Sequence, residues 1–290
     1  MLYNKEKILY LCIIVLNIIF PSCREIRVDK TKLRGWDYRL FQDTPAWELA
    51  KAVQDNKVSR IKSIIQEDST LINYQEPRFG ETLLMLSIWN DDYESFITLL
   101  ESNADVNIYD KYDGTSAIIL TCEYNLGARY VQKLLEYGAN PNDIEAGDRR
   151  KGNSTRYTPL RGASENGDIE SVKLLLEAGA DINYHDEFGS SALGKSVMRG
   201  YYDVTLLLLE NGADYTRPLA KGVDQPLNIV DLMRGDLTEL NSTKYFYKKK
   251  VIDFLKKHNV DYRKSPIPSY TLQRIKQLYP DSWQEYIEKY

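Results

Sequence analysis

A helix–turn–helix unit that recurs constrains this chain more than any other feature. It is clearest at Tyr157–Asn183, YTPLRGASENGDIESVKLLLEAGADIN. Thr158 is placed to cap a helix, and Pro159 follows at the first helical position, where a missing N–H costs nothing. Leu160 and Ala163 share one face. Asn166-Gly167 ends this helix, because Gly adopts the left-handed conformation that a stop requires. A second helix starts at Ile169, with Val172, Leu175, Leu176 and Glu177 at helical spacing, and stops at Gly179. Leu176 is expected to lie buried between units, so that truncation to Ala opens a cavity. Neither helix buries its apolar face alone, so the unit needs neighbours of its own kind.

Those neighbours are present. Ser191, Leu193, Leu209 and Gly212 lie 33 residues beyond Thr158, Leu160, Leu176 and Gly179. Upstream, Thr82, Leu100 and Ala104-Asp105-Val106-Asn107 occupy the positions of Thr158, Leu176 and Ala180–Asn183. Between them come Ser116, Leu135 and Gly138-Ala139-Asn140. A period of 33–34 residues, with T-P-L opening the first helix and G-A-D/N-x-N closing the second, resembles the ankyrin repeat. The resemblance implies an all-α ankyrin-repeat solenoid of about six helix–turn–helix units with projecting turn loops. Where the family usually has His after T-P-L, this chain has Arg161, Met85, Ile119 and Gly194, which is expected to weaken one capping hydrogen bond per unit.

The units fall at about 44–78, 79–112, 113–155, 156–187, 188–221 and 222–264. The outermost two are eroded, as the ends of a stack are expected to be. Thr44-Pro45 opens the first helix of the first, and Leu71-Ile72-Asn73 replaces its closing signature. In the last, Gly235–Tyr247 reads as an insertion between the two helices, and Lys248-Lys249-Lys250 as a solvated charge run. Residues 265–290 read as helical C-terminal caps, one helix with Leu272, Ile275 and Leu278, another with Trp283, Tyr286, Ile287 and Tyr290. Residues 23–43 read as a tether whose Trp36, Tyr38 and Phe41 dock on the first repeat as an N-terminal cap; a partner-binding arm is the other reading.

Residues 1–22 have the character of a signal peptide. Lys5 and Lys7 precede a largely apolar run, Ile8–Phe20, that is short of the roughly 20 residues a spanning helix needs. Phe20-Pro21-Ser22-Cys23 resembles a bacterial lipoprotein signal, although Phe20 and Pro21 depart from its usual residues. The resemblance implies lipidation at Cys23 and a periplasm-facing lipoprotein of the bacterial envelope, with Arg24 compatible with the outer membrane. Simple secretion is the alternative. Cys12 would leave with the signal, so Cys122 is left without a disulfide partner and reads as a small buried apolar residue.

Chemistry is sparse. His185 and His258 sit in different repeats with no Cys nearby, so no metal and no cofactor are expected. Asp91-Asp92 and Asp186-Glu187 read as solvated turn residues. A net charge of −4 does not suit general nucleic-acid binding. No enzymatic activity is expected. The resemblance implies instead a monomeric module that binds a protein partner on its concave side, through turn tips and first helices. Candidate anchors on the tips are Tyr109, Tyr112, Tyr184 and Phe188, together with Phe79. Packing between adjacent tips is the competing role. Trp89 and Met198 take the position of Glu165 on the first helices. Asp143–Arg156 is a loop insertion carrying Arg149, Arg150 and Lys151, a basic knob on an acidic chain. An adaptor, scaffold or inhibitor is the leading reading. An envelope stress or enzyme-maturation factor with its own small-molecule or catalytic site is the alternative.

Overall fold

The computed structural model describes residues 27–147, 156–222 and 225–290. The signal segment, Cys23 and the triplet Arg149-Arg150-Lys151 lie outside the described residues. Residues 27–34 belong to one unit, in which Asp29 caps a 3₁₀ turn at Lys30–Lys32. Gly35–Tyr290 form the other.

In this second unit the helices come in pairs. They are α1 Trp47–Gln54 with α2 Val58–Glu67, α3 Leu83–Trp89 with α4 Tyr93–Glu101, and α5 Ala117–Glu123 with α6 Ala128–Glu136. Then follow α7 Pro159–Asn166 with α8 Ile169–Glu177, α9 Ala192–Arg199 with α10 Tyr202–Glu210, and α11 Ile229–Gly235 with α12 Thr243–Lys257. Two capping helices complete the unit, α13 Ser269–Leu278 and α14 Trp283–Lys289. First helices pack on first helices along the stack, α3 on α5, α5 on α7, α7 on α9 and α9 on α11. Second helices form the other layer, with α2 on α4, α6 on α8 and α10 on α12. One continuous apolar core runs through both layers from Tyr38 to Tyr262. The described strands are a two-residue pair, β1 Ala220–Lys221 and β2 Pro226–Leu227. The architecture is the expected all-α ankyrin-repeat solenoid.

The signature residues act where the sequence places them. The hydroxyl of Thr158 accepts from Arg161 N at 3.2 Å, and Ser191 and Thr82 cap α9 and α3 in the same way. In every unit but the first, the turn that closes the second helix takes a positive φ. Gly179 supplies it at 87°, and Asn103 at 67° in the unit that lacks the glycine, because Asn tolerates the left-handed region. Gly162 lets α7 approach α5 closely, since a Cβ there would sit 2.9 Å from Glu123 N.

Several expectations are corrected. Leu176 is only partly buried; its neighbour Leu175 is the fully buried one, because successive residues point about 100° apart around a helix. The α1 helix starts at Trp47, while Thr44 turns its hydroxyl back to Phe41 O at 2.6 Å. The stretch Gly235–Tyr247 is not wholly an insertion, because α12 already begins at Thr243 under a Ser242 cap. Lys248 is no solvated charge. It is 1% exposed, donates to Asp236 O at 2.9 Å, and sits 4.0 Å from the Tyr290 ring centre. Burial pushes its ammonium down to about 7.

Asp91 is solvated as expected, with its side chain 70% exposed, and Asp92 is half-buried, yet each also ties its turn to another part of the stack. Tyr38 donates to Asp92 Oδ2 at 2.7 Å, and Tyr130 to Asp91 Oδ1 at 2.7 Å. Asp186, by contrast, is buried and accepts from Phe188 N and Ser190 N. In the fourth unit the place of the customary His is taken by a side chain with bonds of its own. Arg161 fills the site, 1% exposed, donating to Ser190 Oγ at 3.2 Å in the next unit and to Arg156 O at 3.1 Å.

Both ends are covered. Tyr38, Leu40 and Phe41 are buried at the first. At the other, Ile275, Tyr286 and Tyr290 form a small second core. Cys122 is buried, and burial raises its thiol well above the ordinary range. Replacement of Leu175 by Ala should cost about 2–5 kcal/mol, whereas Leu176→Ala should cost about 1 kcal/mol. Urea unfolding of the two variants checks this, and equal losses would contradict the packing.

Candidate protein-binding groove

The first helices end on one side of the stack, beside the turn tips. Trp89, Glu123, Glu165 and Met198 take equivalent places at the last turn of α3, α5, α7 and α9. Each faces the same side, so four units present a row whose chemistry is set by one residue apiece.

At the upstream end the row is aromatic. Trp89 stands between Trp36, at 5.4 Å between ring centroids, and Tyr124, at 4.5 Å. Trp89 is therefore half-buried filler as well as surface. Phe79 and Tyr112 meet edge to face at 5.7 Å across two adjacent tips. These rings, with Glu81, Asp110, Asp113 and Glu123, wall a cavity of about 210 Å³. Glu81 Oε2 and Trp89 Nε1 are shielded from solvent with no hydrogen-bond partner among the described residues. Burial, reinforced by the carboxylates of Asp110, Glu76 and Asp113, pushes Glu81 up to about 8.

In the middle the row is cationic. Glu165 is 9% exposed and ringed by positive charge. Arg199 donates to its Oε1 at 2.7 Å, with Lys195 at 3.4 Å and Arg161 at 3.5 Å from Oε2. Burial favours the neutral acid, but Arg199, Lys195 and Arg161 outweigh it and hold Glu165 below the usual carboxylate range. One carboxylate against three cations leaves this rung positive. Arg199 has a side chain 60% exposed, free to meet a partner on its open side.

The tip residues divide. The Tyr109 hydroxyl donates to Asp143 on the next tip, so its exposed ring is pinned by a neighbour. Tyr112 is 49% exposed at the rim of the aromatic cavity. Tyr184 is partly buried, and Phe188 lies exposed under Lys221 Nζ at 5.5 Å. Met198 is exposed over a separate groove with Leu232 and Tyr270. The loop insertion rises from a tied stem. Gly147 N donates to Asp113 O at 2.7 Å, Ala146 N to Gly114 O at 3.1 Å, and Glu145 N to Tyr157 O at 3.0 Å. Arg149, Arg150 and Lys151 themselves fall outside the described residues.

Sequence reasoning missed Tyr124, Glu81 and the cationic ring. Tyr124 immediately follows the Trp89-equivalent Glu123, so unit alignment could have found it. The ring gave no sequence signal, because Lys195 and Arg199 lie a full repeat from Glu165. Among the described residues no cluster of His, Cys, Asp and Glu could hold a metal ion, and no helix is long and apolar enough to cross a membrane.

Comparison with known proteins agrees with the geometry. A family model described as ankyrin repeats, three copies, matches residues 84–186 and 127–218. The mouse B-cell lymphoma 3 protein homolog is 32% identical over 169 residues, 54% of this chain and 35% of that protein. Mouse protein phosphatase 1 regulatory subunit 27 is 38% identical over 81 residues, 28% of this chain and 52% of that protein. The chain thus spans about a third to a half of the length of these two relatives. The crystal structure of EF0377, an ankyrin repeat protein, superposes with a TM-score of 0.52 at 26% identity, covering 71% of this chain and 96% of that one.

A carboxyl raised on folding favours the fold below its unfolded value, and that contribution is lost as pH rises through about 8. Glu81→Gln removes this loss. Relative to the parent, the variant should gain on the order of 1–3 kcal/mol between pH 5 and pH 8. Urea midpoints at the two pH values measure it; a pH-independent difference would contradict the buried, charge-crowded setting of Glu81.

Proposed function

Because the chain folds as an ankyrin-repeat stack, we propose that it is a non-enzymatic protein-binding module, acting as adaptor, scaffold or inhibitor through the row of first-helix ends and the neighbouring tips. One observation carries this reading: the row sets a half-exposed aromatic stretch at Trp36, Trp89 and Tyr124 beside a positive rung at Lys195 and Arg199. Aromatic and Arg side chains are the types that dominate binding energy at interfaces. A partner that offers a basic anchor to the first and an acidic segment to the second would be held in register along the stack. Three of the carboxylates are taken up by structural hydrogen bonds. Glu76 accepts from the backbone of Phe79 and Gly80, Glu145 from Tyr157 N, and Asp236 from Tyr202 and Lys244. Groups committed in this way have no oxygen poised for a substrate.

The envelope is the proposed location. The Lys5 and Lys7 flank, the apolar run to Phe20 and Cys23 support lipidation there, with the stack facing the periplasm as a monomer. The mature protein, used as bait, should retain its partner. Replacement of Trp89, Arg149, Arg150 and Arg199 by Ala should each weaken retention about tenfold, as expected of interface anchors. Retention unaffected by all four would place the interface on the second-helix layer or the terminal segments.

A further inference from the structure

The aromatic cavity of the second and third units has a chemistry of its own. Its walls are rings: Trp36, Trp89 and Tyr124 on one side, Phe79 and Tyr112 on the other. Its polar lining is acidic, with Glu81, Asp110 and Asp113 crowding one end. Ring faces carry negative potential and attract cations, most strongly when water is excluded. Carboxylates do the same. At about 210 Å³ the cavity is below the size of a drug-like ligand site and suits a single long side chain.

Glu81 makes the argument specific. A buried acceptor left without a partner is costly, and native proteins rarely leave one so. Glu81 Oε2 is shielded and unpartnered among the described residues, and the same holds for Trp89 Nε1. Closing the site with an apolar group would leave the cost at Glu81 in place, whereas the Trp89 indole N–H is itself a donor and needs an acceptor from the same segment. A guanidinium or ammonium group would donate to Glu81 and stack on the rings at once. We propose that this cavity receives the Arg or Lys side chain of a basic segment in the protein partner, with Glu81, ionised on pairing with that cation, as its carboxylate and Trp36, Trp89 and Tyr124 as its walls. The proposal deepens the reading of the groove as a protein-binding surface and rests on it. It assigns the cationic anchor to the upstream end of the row, away from the positive rung at Lys195 and Arg199.

The test uses the whole mature chain and a capped Gly-Arg-Gly peptide, with Gly-citrulline-Gly as its neutral isostere. Quenching of Trp36 and Trp89 fluorescence reports occupancy. The Arg peptide should bind saturably and the citrulline peptide at least tenfold more weakly. Glu81→Gln should weaken the Arg peptide at least tenfold while circular dichroism stays unchanged, and Trp89→Phe, which keeps a ring, should weaken it less than Glu81→Gln. Equal affinity for the two peptides, or full affinity in Glu81→Gln, would overturn the proposal. The basic insertion leaves its stem at Gly147, hydrogen-bonded to Asp113 at the cavity rim, so the chain's own cations need a control. Unchanged peptide affinity when Arg149, Arg150 and Lys151 are replaced by Ala assigns the site to a partner. Markedly tighter affinity in that variant assigns the cation to the chain itself and overturns the partner assignment. If Glu81→Gln abolishes peptide binding but the bait still retains its partner in full, the cavity proposal fails while the groove reading stands.

Discussion

Everything in this protein depends on the contact between one helix pair and the next. That contact has two components of unequal size. Apolar side chains such as Leu99, Leu134, Leu175 and Leu208 are fully buried between layers, each stabilising by about 1.5–3 kcal/mol. A second component runs along the turns. Asn73 Oδ1 accepts from Asp105 N at 2.9 Å, Asn107 from Asn140 N at 3.2 Å, Asn142 from Asp181 N at 2.6 Å, and Asn183 from Asp214 N at 2.8 Å. These bonds are exposed, and each is worth only about 1 kcal/mol net. The apolar term therefore holds the stack together, and the Asn ladder fixes how far each unit is rotated and offset from its neighbour.

The ladder also explains the closing signature of the repeat. Within each turn the Asp or Asn accepts from the backbone two residues on, as Asp105 does from Asn107 N, Asn140 from Asn142 N and Asp181 from Asn183 N. The last Asn of the signature then reaches the following unit. One short motif thus builds its own turn and sets its neighbour. Because the ladder fixes the register through the first five units, the first-helix ends come into line, and the groove chemistry at Trp89, Glu123, Glu165 and Met198 is written one residue per unit. Arg161 shows the same economy. It replaces a His, spans to Ser190 in the next unit, and helps make the rung at Glu165 positive.

How much of this was legible in the sequence follows from range. Caps at Thr158 and Ser191, stops at Gly167 and Gly179, and the stacking of units are local or periodic, so residue types at fixed offsets reveal them. Which of Leu175 and Leu176 is buried depends on the rotation of one helix against another, and spacing alone places both on the apolar side. Lys248 defeated the reading for a different reason. A run of three lysines looks solvated, but the first of them lies among Tyr202 of α10, Tyr262 of the turn after α12 and Tyr290 of the C-terminal cap. The bonds at Asp91 and Asp92 are equally hidden from the sequence, since their partners Tyr130 and Tyr38 come from the following repeat and the N-terminal cap. The groove was legible in outline, through Trp89 and Met198. Its charges were not, because the cations around Glu165 come from three turns of chain in two repeats.

If neighbours stabilise each unit, stability must be shared along the stack and weakest where a unit has one neighbour only. Native-state hydrogen exchange across a denaturant series reads this directly. The account predicts that amides of α3 through α10 exchange through one common, slow opening, and that those of α1, α13 and α14 exchange first. Helix pairs of the central units exchanging independently of one another, or terminal helices as protected as the centre, would contradict it.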